Sequence, residues 1–205
     1  MTRLYLIRHG QTEWNRQERF RGRIDIPLND AGQAQALAVA NYLKTETIAA
    51  VYSSPLQRAV ETARPVAEIH HLQTVILPGL IDIHYGQWQG RTPAEMRESC
   101  PDRLDRWYTT PHLAEIPGGE SLETVKVRSW AAVQDTLNRH DCSGIVLVTH
   151  QIVIKVLTCT LLGLGVEHIW RIRQDNGCLD IFDWDGAQST AVLINGIDHL
   201  RHWPV

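Results

Sequence analysis

Near the start of the chain an apolar run, Leu4-Tyr5-Leu6-Ile7, leads into Arg8-His9-Gly10-Gln11-Thr12. A guanidinium can hold two oxygens of a phosphate at once, and a neutral imidazole can attack phosphorus through a ring nitrogen. Side by side they suit displacement at a phosphoryl group, with Gly10 letting the backbone come close to it. Two distant segments also carry an apolar run into polar chemistry. Val51-Tyr52-Ser53-Ser54-Pro55-Leu56-Gln57 leads to a second guanidinium, Arg58, and Ile145-Val146-Leu147-Val148-Thr149 leads to a second imidazole, His150. In open α/β sheets ligands bind beyond the carboxyl ends of the strands, where these groups would meet. His9 is then the candidate nucleophile, because a phosphohistidine divides one very slow hydrolysis into two easier steps. Arg8, Arg58 and His150 are candidates for holding the phosphoryl oxygens.

The elements that must position these groups alternate between strand and helix. The runs at 4–7, 51–54, 74–77 and 144–150 read as strands. Asn29-Asp30 caps a helix reaching about Lys44. Pro55 opens the helix that carries Arg58, so the guanidinium and the positive helix end could face one anion. Residues 79–120 are the least regular stretch, broken by Pro93, Pro101, Pro111 and Pro117, and read as a lid over the site. An amphipathic helix from Glu120 to about Arg139 and an apolar helix over 152–163 follow. Two last strands, Leu179–Trp184 and Thr190–Ile194, turn at Asp185-Gly186. This order predicts an α/β three-layer sandwich, its central sheet mostly parallel with an antiparallel edge.

Composition narrows the classes. A chain of 205 residues suits one domain spanning 1–205, and 43% hydrophobic with 21% charged residues is ordinary for a globular protein. The net charge of −3 provides no basic field to recruit nucleic acid or an anionic membrane. Nothing resembles a membrane span, and Met1-Thr2-Arg3 runs into a strand rather than a signal peptide, which suggests the cytoplasm. Cys100, Cys142, Cys159 and Cys178 have no paired spacing and read as free thiols. Ten histidines are scattered, with only His70-His71 and His199…His202 close in sequence, so neither a metal site nor a cofactor is expected.

The three strand-end motifs, in order, resemble the histidine phosphatase superfamily, in the branch shared with cofactor-dependent phosphoglycerate mutases. The resemblance covers nearly the whole chain. It extends to Asn15, Asp25-Ile26-Pro27-Leu28, Gly86-Gln87-Trp88-Gln89-Gly90 and Pro117-Gly118-Gly119-Glu120-Ser121. It implies a phosphoglycerate mutase-like fold, with Asn15 as a neutral donor to the phosphate. Arg21 and Gly22 follow Phe20 where relatives place substrate contacts. Relatives supply a glutamate as proton donor in a pattern like L-x-E-x-x-x-G-x-W-x-G. Here Leu80-Ile81-Asp82 puts Asp82 at that position, one methylene shorter, with His84 as a substitute acid.

Three further segments are similar to the metal-independent phosphoserine phosphatases of the family. They are Cys159-Thr160-Leu161-Leu162-Gly163, Asp175-Asn176 and Asn195…His199-Leu200. Gln151 stands where many relatives have glycine, and Tyr85 where some carry a histidine near the substrate. Both are candidate substrate contacts. The expected activity is metal-independent hydrolysis of a small phosphorylated metabolite, phosphoserine first and a sugar phosphate or carboxylated sugar phosphate next. A phosphoglycerate mutase and a catalytically dead phospholigand sensor are the rivals. The G-x-W-x-G loop speaks against the first, and intact His9, Arg58 and His150 against the second. Trp170, Trp184 and Trp203 read as core or interface residues rather than ligand stackers. With the apolar last strands they suggest a homodimer.

Overall fold

The computed structural model describes residues 1–140 and 142–201. His202 and Trp203 lie outside the described residues. Seven elements make up the first half: β1 (Thr2–Arg8), α1 (Glu13–Arg16), α2 (Asp30–Leu43), β2 (Ile48–Ser53), α3 (Gln57–Ile69), β3 (Thr74–Ile76) and α4 (Pro93–Ser99). Then come α5 (Pro101–Thr109), α6 (Leu122–Arg139), β4 (Gly144–Thr149), α7 (Gln151–Leu161), β5 (Leu179–Trp184) and β6 (Ser189–Gly196).

The strands form one sheet in the order β3-β2-β4-β1-β5-β6. The first four are mutually parallel, while β5 runs antiparallel to both β1 and β6. The sheet is therefore mostly parallel with an antiparallel edge. Successive strand residues face opposite sides, which sorts the core into two layers. Leu4, Leu6, Ile145 and Leu147 pack with α6, α7 and the 80–116 stretch. Tyr5, Ile7, Val146 and Val148 pack with α2 and α3. Both faces of the central strands are thus covered, and the burial of β4 is continuous rather than alternating.

Register fixes the strand ends. Arg8 pairs with Thr149, and Ser53 with Val148, so His9, Ser54 and His150 leave the sheet side by side. Two expectations shift. The helix carrying Arg58 starts at Gln57 rather than Pro55, and Asp25 Oδ1 accepts from Gln57 N at 2.8 Å. That helix end is therefore already served by a protein carboxylate. The β5–β6 connection spans four residues, because the Asp185 carboxylate accepts from the N–H groups of Ala187 and Gln188. The stretch 79–120 walls the site and is itself core: Leu80, Ile83, Trp88, Met96, Leu104 and Trp107 are buried.

Candidate active site

His9 is held from both sides of its backbone. Its N–H donates to Thr149 O at 3.0 Å, and Asn176 Nδ2 donates to His9 O at 3.2 Å. Its Nδ1 lies 2.7 Å from Gly10 O. A carbonyl can only accept, so this bond assigns the proton to Nδ1 and leaves a lone pair on Nε2. Burial lowers the His9 pKa well below its ordinary value, and the nearby charges of Arg58, Arg21 and Arg8 lower it further. The imidazole therefore stays neutral, as a nucleophile must.

Gly10 is needed for a different close approach from the one expected. A Cβ there would sit 2.4 Å from Gly32 O, and one on Gly32 would sit 2.0 Å from Gln11 O. The backbone that comes near is the first turn of α2, capped by Asn29, rather than a ligand. Thr62 on α3 joins the motifs: its Oγ1 accepts from Gly10 N at 3.0 Å and donates to Arg58 O at 2.7 Å.

Arg58 is fully buried and reaches three oxygens. Nη1 bonds Ile24 O at 3.0 Å, and Nη2 bonds Gly22 O at 2.8 Å and Asp82 Oδ2 at 3.1 Å. Gly22 therefore serves Arg58 through its carbonyl. Its φ of +50°, with Gln89 Oε1 and Ile83 O close to where a Cβ would lie, strains any larger residue there. Asp82 Oδ1 accepts from Ile83 N at 2.9 Å, and Oδ2 lies 3.7 Å from His150 Nδ1. Burial raises the Asp82 pKa, against the pull of Arg58 and Arg21.

His150 caps α7 and lies 5.2 Å from His9 between ring centroids. Burial, then the Arg58 charge, hold its pKa well below the ordinary value. Its Nε2 is 2.7 Å from Ser54 Oγ, which itself accepts from Leu56 N at 3.4 Å. Ser54 can thus give its own proton to Nε2, leaving an N–H on Nδ1 that faces Asp82.

Arg8 donates to the carbonyl of Gln174, and Arg21 makes one long bond of 3.5 Å to Arg19 O. Burial lowers the Arg21 pKa to about 10, assisted by the charge of Arg8. Among the described residues seven buried side-chain nitrogens lack any partner. Five belong to Arg8, His9, Arg21, Arg58 and His150, and a sixth is Trp107 Nε1. His9 Nε2 carries the lone pair and the other five are donors; an orphaned buried donor costs about 1–3 kcal/mol, so their concentration marks a place prepared for an external acceptor.

A cavity of about 390 Å³ adjoins this cluster. Arg8, Arg21, Asn15, Gln151, Tyr85 and Asn176 line it, with Glu18 and Arg19 among the polar groups. Phe20, Trp107, Tyr108 and Trp170 supply aromatic wall. Asn15 Oδ1 accepts from Thr12 N and Oγ1 at 2.9 and 2.8 Å, which leaves its NH₂ for the cavity. His84 does not line it; the His84 backbone is tied to Glu120 on both sides. Trp170 packs on the core as expected, but it also walls the cavity, and Lys155 stacks on its ring 4.4 Å from the centroid. Trp184 packs on the core beside Trp130.

The sequence reading missed Trp107 and Tyr108, which belong to no motif, and the roles of Ser54, Thr62 and Asn176. Ser54 and Asn176 lie inside the motifs given above and Thr62 one helical turn beyond Arg58, but the bonds that give them a role reach other segments.

A profile of the histidine phosphatase superfamily, branch 1, matches residues 4–196. The chain belongs to that superfamily. Phosphoserine phosphatase 1 of Hydrogenobacter thermophilus is 32% identical over 205 residues, covering all of this chain and 97% of that protein. The solved structure of Bacillus stearothermophilus YhfR superposes with a TM-score of 0.93 at 31% identity, covering 98% of this chain and all of that one. An Entamoeba histolytica phosphoserine phosphatase mutant, solved with phosphoserine, superposes with a TM-score of 0.89 at 27% identity, covering 98% of this chain and all of that one. This histidine phosphatase is a phosphate-ester hydrolase of mixed α/β fold. Among its described residues no helix is long and apolar enough to cross a membrane.

Proposed function

We propose that the phosphatase hydrolyses a small phosphomonoester through a phosphate carried on His9 Nε2. The observation that supports this most is the neutral His9 lone pair set among unpartnered buried guanidinium nitrogens. Arg8, Arg21 and Arg58 hold the phosphoryl oxygens, and His150 Nδ1 and the Asn15 amide add neutral donors. His9 Nε2 forms a bond to phosphorus as the ester P–O bond breaks. Asp82 gives its proton to the leaving oxygen, then takes one from the water that frees inorganic phosphate. An arriving phosphate dianion competes for Arg58 and weakens that guanidinium's hold on the Asp82 carboxylate. Binding itself thereby favours the protonated acid.

Phosphoserine is the leading substrate, supported by the similar phosphoserine phosphatases. Unpartnered Trp107 Nε1 and Arg21 Nε suit a carboxylate on the leaving group, and Glu18 is the cavity's acceptor for an ammonium. The aromatic walls favour a carboxylated sugar phosphate as the second reading. The experiment is kcat/KM for phosphoserine, phosphothreonine, 3-phosphoglycerate and sugar phosphates, with and without a carboxylate. We expect phosphoserine to lead the panel. A carboxylate-free sugar phosphate ahead of it by tenfold or more would overturn the assignment.

The setting we propose is the cytoplasm, which four free thiols suit. We further propose a homodimer meeting along β6, an edge strand on which Val192 and Ile194 are exposed. Light scattering should give twice the chain mass; a monomer at all concentrations would contradict it.

A further inference from the structure

Asp82 sits on irregular chain between β3 and α4, and its shorter side chain leaves little slack in where the backbone must lie. That backbone is gripped at four consecutive carbonyls by side chains from other elements. Arg128, on α6, gives Nη1 to Gly79 O at 2.8 Å and to Ile81 O at 2.7 Å, and Nη2 to Asp82 O at 3.2 Å. Thr149, the residue before His150, donates to Leu80 O at 2.6 Å. Beyond Asp82 the grip passes to Glu120, whose Oε2 accepts from His84 N at 2.9 Å and whose own N–H donates to His84 O at 2.9 Å.

The two grips are one unit. Arg128 Nε and Nη2 bond the two oxygens of Glu120, each at 3.0 Å, and Arg23 Nη2 bonds Oε1 at 2.8 Å. Burial would push Glu120 up, but the Arg128 and His84 bonds hold its pKa below the usual carboxylate range. Contact between the segment and α6 is close: a Cβ on Gly79 would meet Arg128 O at 2.8 Å and Ala132 Cβ at 2.6 Å.

We infer that Arg128 and Glu120 are positioning residues for the proton donor, fixing the backbone of residues 79–84 so that the Asp82 carboxyl reaches the leaving oxygen. The inference rests on the proposed role of Asp82 as acid. A planar, five-donor guanidinium can bind three carbonyls and a carboxylate together, whereas an ammonium on a flexible stem cannot. Misplacing a reacting group by about 1 Å can cost about 10²-fold in rate.

A structural role and a positioning role differ in how the loss depends on the leaving group. The test compares Arg128→Lys, which keeps the charge near Asp82, with Asp82→Asn. Single-turnover phosphorylation is measured with phosphoserine, whose seryl alkoxide is a poor leaving group, and with 2,4-dinitrophenyl phosphate, whose phenolate needs no proton. Arg128→Lys should lose about 10- to 100-fold on phosphoserine and less than about threefold on the aryl ester. Added to Asp82→Asn it should cost almost nothing more. Glu120→Gln should show the same selectivity, more weakly.

Equal losses on both esters, or full additivity with Asp82→Asn, would overturn the inference. So would failure of both Arg128→Lys and Glu120→Gln to fold, since the pair would then be structural. If Asp82→Asn itself falls equally on both esters, Asp82 is not the acid, and the reading of the reaction fails together with the inference. Selectivity in Asp82→Asn without it in Arg128→Lys removes the inference alone.

Discussion

Asp82 is the proton donor we propose, at a position where the family resemblance implies a longer glutamate. Its carboxyl is buried between Arg58 and His150, so removing the negative charge also loosens Arg58. Asp82→Asn should cost about 10²–10⁴-fold in phosphorylation by an alkyl phosphate, the usual span for general acid catalysis. Asp82→Glu tests reach directly. If the backbone grip already compensates for the missing methylene, the longer side chain should gain nothing, and a rise in rate would show that reach limits the wild type. Trp107 belongs at this scale too. Trp107→Phe removes the unpartnered indole N–H while keeping an aromatic wall, and should raise KM for a carboxylate-bearing substrate with little change in kcat. Unchanged KM would take Trp107 out of substrate binding. The motif residues were legible in the sequence because strand ends announce themselves by an apolar run meeting a charge. Trp107 was not legible, since an aromatic residue in a short helix reads the same whether it faces core or cavity.

At the scale of elements, the site depends on how closely α2 meets the turn after β1. A Cβ on Gly10 would run into the Gly32 backbone, and one on Gly32 into the Gln11 backbone. Gly32→Ala should destabilise the fold by about 1–3 kcal/mol through overpacking, read from urea unfolding. It should lower kcat as well, because the displaced turn carries Gly10 O, the partner of His9 Nδ1. Wild-type stability in Gly32→Ala would contradict this account of the two glycines. Alternating strands and helices were readable from periodicity alone, as was the antiparallel hairpin at the end. The reason for Gly10 was not, because its neighbour is a helix turn more than twenty residues away. The start of α3 was misplaced for a similar reason: the Asp25 carboxylate that serves its first N–H lies far upstream.

Across the whole molecule, keeping the proposed nucleophile neutral makes stability depend on pH. His9 and His150 have folded-state pKa values well below the ordinary 6.5. The unfolded chain therefore binds protons below pH 6.5 that the folded chain does not, and stability falls as pH falls through that window. Each imidazole contributes up to about 1.4 kcal/mol per pH unit. Asp82, raised by burial, acts with the opposite sign at pH values above its ordinary 3.8. Comparing Tm of wild type and His9→Asn from pH 7 to 5 isolates one imidazole. The variant should show the shallower decline, and parallel curves would mean that His9 is not held neutral. Metal removal should leave activity unchanged, because guanidinium groups already meet the phosphate charge; loss with EDTA and recovery with Mg²⁺ would contradict this. Fold class was readable from the order of elements, while the pairing of Arg128 with the Asp82 backbone required the three-dimensional packing of α6.

The most direct test is to trap the covalent intermediate. Enzyme turning over a phosphomonoester is quenched rapidly in base, digested, and searched for phosphate that is acid-labile and base-stable. Phosphate on the His9 peptide of the wild type, and none in a folded His9→Ala variant that has lost turnover, is the expected result. Turnover by His9→Ala near the wild-type rate, or labile phosphate on another residue, would contradict it.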